Sequence, residues 1–180
     1  MSNLADAERK SLSSEDISRA LGNDVRILTY PQLKNHDTIQ DVLAPNGECV
    51  LLWLTSQHVG HWCSLQMGPE PNTINVFDSY GLKVDGEAAF IPEHFKLESG
   101  ENVPLLSNLL AKSGCTVKHN THRLQKMEGA MNTCGRHVIV RLWNKGLTND
   151  QYTKELWAAA KKMGKGADPD AVVTELTADI

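Results

Sequence analysis

The chain has no run of 18 or more apolar residues, so no segment reads as a membrane span. Its first ten residues, Met1 to Lys10, contain no apolar stretch of the kind a secretory leader needs, so export is not expected. There is no excess of positive charge: 18 Lys and Arg stand against 22 Asp and Glu, a net charge of -4. That balance gives the chain no overall electrostatic drive toward phosphate backbones. No C-x-x-C pair occurs, although four cysteines do: Cys49, Cys63, Cys115 and Cys134. Without an export signal these are expected to be reduced thiols, which leaves room for one of them to do chemistry. Internal repeats and low-complexity segments are also missing.

The chain does have the length and composition of one globular domain: 180 residues, 41% hydrophobic and 22% charged. Ser13 and Ser14 before Glu15 and Asp16 predict a helix start, and Gly22 its end. Val25 to Tyr30 reads as extended, and Asp37 to Leu43 as a second short helix. Three strands are expected at Glu48–Leu54, His61–Met67 and Thr73–Asp78. The first is continuously apolar after Glu48, the pattern of a strand buried on both faces. Pro69, Pro71 and Asn72 predict a hairpin loop between the second and third. Residues 81–102 read as a loop-rich excursion.

The leucines at 105, 106, 109 and 110 predict a helix over Val103–Lys112, followed by a short strand at Gly114–His119. Cys134–Trp143 reads as a buried helix, and the Thr148/Gln151 capping box opens another that reaches about Met163. Residues 164–180 are expected to form a weakly ordered tail beyond a single domain of residues 1–163. Trp53, Trp143 and Trp157 are expected in the core, and Cys49, Cys63 and Cys115 as buried thiols in apolar or strand-like surroundings. Lys161, Lys162 and Lys165 suit a helix end. Helix, strand cluster, then helices indicates an α+β fold.

Four residue positions carry candidate chemistry. Cys134, in Asn132-Thr133-Cys134-Gly135-Arg136-His137, sits where a polar loop becomes an apolar helical run. A helix N-terminus favours a thiolate, and Gly135 would let a substrate backbone come close. An inert buried thiol is the plain alternative. His61, in Val59-Gly60-His61-Trp62, opens a strand, and Asp78 ends the next. On paired strands the carboxylate reaches the imidazole; otherwise His61 is structural and Asp78 caps a turn. Gln125 offers an amide N–H to an oxyanion, or is a surface glutamine.

The order Gly-His-Trp, Phe-Asp-Ser-Tyr-Gly, Gln, then Thr-Cys-Gly before an apolar helix resembles the adenovirus-protease and SUMO-protease group. The resemblance covers about His61 to Trp143. Leu28-Thr29-Tyr30-Pro31-Gln32-Leu33, His119-Asn120-Thr121 and Thr133-Cys134-Gly135-Arg136-His137 are most similar to the viral maturation proteases of virophages, polinton-like elements and large DNA viruses. Thr133 stands where SUMO proteases carry aspartate.

The resemblance implies a mixed sheet carrying His61 and Asp78, with nucleophilic Cys134 at the N-terminus of a central buried helix. It implies Gln125 as oxyanion donor and Trp62 lining a narrow substrate channel. It further implies cleavage after glycine (Gly-Gly or Gly-X-Gly), without a cofactor, in capsid or core precursors, inside the virion and host-cell cytoplasm. A monomer is expected, and no membrane partner; nothing in the residues indicates a DNA or peptide activator. Rival readings are a SUMO- or ubiquitin-like deconjugating protease, an acyltransferase on the same triad, or a zinc module built from Cys115, His119, His122, Cys134 and His137.

Overall fold

Short polar caps set the boundaries of the elements. The computed structural model describes residues 4–56, 59–164 and 166–180. After α1 (Leu4–Arg9), Ser13 caps α2 (Ser14–Leu21) in a reciprocal box with Asp16, and Ile17 is its buried anchor. β1 (Ile27–Thr29) leads into a 3-10 helix (Tyr30–Asn35) and α3 (Ile39–Val42), which Thr38 and Asp41 cap in the same way. β2 (Glu48–Ser56), β3 (Val59–Met67) and β4 (Thr73–Asp78) follow. The excursion after β4 is more regular than expected: it holds a 3-10 helix (Gly86–Phe90) and α4 (Glu93–Ser99). Then come α5 (Leu105–Lys112), β5 (Thr116–His119), α6 (Cys134–Trp143), α7 (Asn149–Met163) and α8 (Pro169–Leu176).

The result is a mixed α+β fold around an open five-stranded sheet in the order β1-β2-β3-β4-β5. The outer pairs, β1/β2 and β4/β5, are parallel, and the inner pairs antiparallel. Helices cover both faces. Cys49, Leu51, Trp53, Cys63, Leu65, Ile74 and Val76 point into a cluster with Leu106, Leu109 and Leu110 of α5. Val50 and Trp62 point the other way, into a cluster with Val138, Ile139 and Leu142 of α6, and Phe77 packs with Val140, Tyr152 and Val173. This explains the apolar run of β2, which has no solvent face.

Three sequence expectations need correction. The described residues beyond 164 are not a loose tail: α8 buries Pro169 through Thr174. Its apolar face, Val172 and Val173, closes the cluster around Phe77, and burial of that kind is what orders a terminal segment. Trp143 and Trp157 are about half exposed, at 48% and 47%, whereas Trp53 is buried and stacks on Tyr30. The two exposed indoles lie on the solvent sides of amphipathic helices. Cys115 is only half-buried, unlike Cys49 and Cys63. Lys161 and Lys162 do occupy the last turn of α7; Lys165 lies outside the described residues.

Candidate active site

The sheet register brings His61 and Asp78 together. Cys63 pairs with Asp78 across β3/β4, and His61 precedes Cys63 by two residues, so the three side chains share one face at one end of the pair. His61 Nε2 lies 3.2 Å from Asp78 Oδ2, and both residues are nearly sealed, at 7% and 2% exposure. With Nε2 engaged by the carboxylate, Nδ1 is left for the other partner of the ring, the Cys134 thiol.

Asp78 is held from several sides. Its backbone N–H donates to Asn120 Oδ1 at 2.9 Å, and Asn120 Nδ2 donates to its carbonyl at 2.6 Å. The Tyr80 N–H donates to Oδ1. The Tyr80 ring stacks on the imidazole, with centroids 4.6 Å apart at 15°.

Cys134 is the first residue of α6, whose N-cap, Thr133, makes no side-chain cap bond. The free N–H groups of that first turn therefore face the sulfur, which takes hydrogen bonds from the Gly135 and Trp62 amides. Burial disfavours the thiolate, but the hydrogen bond and charge of His61, together with those amides, outweigh it and hold the thiol below its usual range. Burial likewise opposes a charged imidazole. The bonds to Asp78 and Cys134 win, and His61 is pushed up to about 10. The two groups therefore favour a thiolate–imidazolium pair that titrates as a unit.

Thr133 is turned away from the helix because its hydroxyl donates to Asp170 of α8. The same carboxylate, fully buried, accepts from His137 Nε2 at 2.9 Å and from the Lys126 N–H at 2.9 Å. One side chain thus ties together the residue before Cys134, the next turn of α6 and the residue after Gln125.

Gln125 is buried rather than superficial. Ser79 Oγ donates to its Oε1 at 2.6 Å, and the Leu124 and Gln125 N–H groups both bond the Ser79 carbonyl. These bonds fix the amide so that Nε2 is the free end; it donates to Tyr80 Oη at 3.3 Å. Gly81 makes the close approach possible: at φ +72° a Cβ there would meet the His122 backbone at 2.8 Å.

Two grooves meet at Cys134, sharing Val59, Gly60 and Asn132 as their rim. One, of about 500 Å³, is lined by Leu12, Ile27, Leu52 and Trp62; the other, of about 360 Å³, by His61, Tyr80, Gln125 and Met127. Trp62 lies under the first, with its indole N–H donating to the Leu12 carbonyl at 3.1 Å. Gly135 lines neither groove. It is buried, and a Cβ there would meet Leu12 Cβ at 3.1 Å and Trp62 Cδ1 at 3.3 Å. The glycine is needed for packing α6 against Trp62.

No family model matches the chain. It is 37% identical over 177 residues to uncharacterized protein V9 of the Sputnik virophage, an alignment covering 98% of this chain and 99% of that protein. The chain belongs to the family of that virophage protein. That kinship accords with a virophage origin.

Among the described residues, the zinc set proposed from spacing is not assembled, since Cys134 pairs with His61 and His137 with Asp170. The donor atoms that do converge, within 4.8 Å of one another, belong to His61, Cys63, Asp78 and Glu87. They are directed at one another: His61 to Asp78, and Cys63 Sγ to Glu87 Oε1 at 2.9 Å. Tyr80, Asn120, Glu87 and Asp170 all bear on the site and were not singled out by sequence reasoning. Asp168-Pro169-Asp170 did carry a signal, an N-cap followed by proline at N1 and a first-turn acid. Glu87 carried none.

Proposed function

We propose that this virophage-family protein is a cysteine endopeptidase, with Cys134 as nucleophile, His61 as base, Asp78 as the group that orients it and Gln125 as oxyanion donor. The observation that carries the reading is the sulfur of Cys134, first in a helix with an uncapped N-terminus and paired with an imidazole that a buried carboxylate holds by its far nitrogen. Acyl transfer by a thiol calls for these groups in these relations.

In the reaction His61 holds the proton released by Cys134, and the thiolate adds to the substrate carbonyl carbon. The oxygen that gains the electron pair is stabilised by Gln125 Nε2 and the Cys134 N–H. The C–N bond then breaks as the imidazolium gives its proton to the leaving amine. Water, losing a proton to His61, adds to the thioester and expels the thiolate. The two grooves that meet at Cys134 support an extended peptide lying on both sides of the scissile bond. Cleavage after glycine, capsid or core precursors as substrates, action in the virion and host-cell cytoplasm, and a cofactor-free monomer follow from the family resemblance.

The test is co-expression with candidate capsid precursors and mass spectrometry of new termini. Wild type is expected to generate termini after glycine. Cys134→Ala is expected to fold and to lose more than about 1,000-fold of that processing. Processing retained by Cys134→Ala, or turnover of acyl-CoA donors with none of peptides, overturns the proposal.

A further inference from the structure

A second carboxyl group stands behind the His61–Asp78 pair. Glu87 lies in the 3-10 helix Gly86–Phe90 and is only 7% exposed. Its Oε1 accepts from the Cys63 thiol at 2.9 Å, while the same sulfur lies 3.6 Å from Asp78 Oδ2. Its other oxygen, Oε2, is sealed from solvent and has no partner at full hydrogen-bond geometry. Donor atoms of Glu87 and Asp78 nevertheless lie within 4.8 Å of each other.

Two ionised carboxylates cannot share such a pocket at low cost. Asp78 is the one that must be charged. Burial opposes its ionisation, but the hydrogen bond and charge of His61 outweigh this and hold its carboxyl low. An ionised Glu87 would leave a bare, unpartnered oxygen facing like charge in a medium that screens weakly. A proton on Glu87 removes the repulsion and turns the orphan acceptor into a donor in the neighbourhood of the Asp78 carboxylate. Burial first, then the hydrogen bond and charge of Asp78, push its carboxyl up to about 8. The groups facing it are His61 and Cys63 from β3 and Asp78 from β4.

We propose that Glu87 is a positioning residue of this site: held as a neutral acid, it donates a hydrogen bond to the Asp78 carboxylate and fixes that group's orientation toward His61. The inference rests on reading His61, Asp78 and Cys134 as the catalytic machinery. Glu87 touches no reacting atom. Together with the Tyr80 N–H, it gives Asp78 a second donor besides His61.

Glu87→Gln keeps a neutral donor of the same length, whereas Glu87→Leu keeps the volume and removes the donor. The rate of Cys134 alkylation by iodoacetamide, followed against pH, reads thiolate formation without any peptide substrate. Glu87→Gln is expected to stay within about two-fold of wild type. Glu87→Leu is expected to slow alkylation at pH 6 by at least about ten-fold, the effect of one unit in the thiolate's titration. Equal rates in both variants, whether slow or fast, overturn the proposal.

Infrared difference spectra supply a readout that does not depend on Glu87→Leu folding. Wild type is expected to show a protonated carboxyl band at neutral pH that Glu87→Gln lacks. Absence of that band in wild type also overturns the proposal. If wild-type Cys134 alkylates only in the ordinary thiol range, the His61–Cys134 pair itself is refuted, and the role of Glu87 with it. A normal wild-type profile with no rescue by glutamine refutes Glu87 alone.

Discussion

Replacing Asp170 with asparagine removes one charge from a fully buried site that holds three donors. A hydrogen bond to a charged acceptor contributes about 1.5–3 kcal/mol. Asparagine keeps one oxygen but turns an NH2 group toward donors, so at least one of the Lys126, Thr133 and His137 bonds is lost and another weakened. The expected loss is about 3 kcal/mol, a large share of the roughly 5–15 kcal/mol that stabilises a domain. For a chain of this size that corresponds to a Tm lower by about 6–12 °C.

The loss also depends on pH. Burial opposes ionisation of Asp170, but the His137, Thr133 and Lys126 bonds outweigh it, so its folded carboxyl lies below the ordinary value. Its contribution is therefore complete above the unfolded aspartate value of about 4 and disappears as pH falls through the folded one. Urea unfolding across the pH range measures both: wild type and variant should differ at pH 7, and the difference should narrow progressively as pH falls below about 4. Because Thr133 and Lys126 flank Cys134 and Gln125, Cys134 alkylation should slow as well. A stability loss under about 1 kcal/mol would refute the energetic reasoning, and unchanged alkylation would refute the link to the site.

Two further outcomes follow from the same geometry. Cys134 alkylation in wild type should persist well below pH 8, because its thiol is held below the usual range, and peptide cleavage should fall as His61 loses its proton near pH 10; in His61→Ala the alkylation profile should return to that of an ordinary thiol, and unchanged profiles in the two proteins would count against the ion pair. Gly135→Ala forces a Cβ to within 3.1 Å of Leu12 Cβ, so denaturant unfolding should register a loss of roughly 1–3 kcal/mol; a loss below the resolution of the measurement would mean that α6 can shift on Trp62 freely.

Much of the frame was legible because local signals agreed with the fold. The cap at Ser13, the capping box at Thr148 and the apolar run from Cys134 marked helices where they stand, and β4 runs from Thr73 to Asp78 as expected. The approach of His61 to Asp78 was legible as soon as the two strands were taken to be neighbours. What escaped was tertiary. Glu87 lies in a stretch whose composition reads as loop, and only the chain path carries it behind Asp78. The burial of α8 depends on a surface that α6 and α7 build together, so its composition alone suggested a tail. Gly135 was taken as space for substrate because no local pattern reveals that Trp62 fills that space.

The bond from Thr133 to Asp170 also bears on the timing of synthesis. Helix α8 is made after α6, so the loop carrying the sulfur cannot be locked until the later segment has emerged from the ribosome and folded back. A nascent chain that has exposed Cys134 but not Asp170 lacks its brace. The hydrolytic power proposed here would therefore reach its full level only after α8 has been made and docked, which limits it on the polysome.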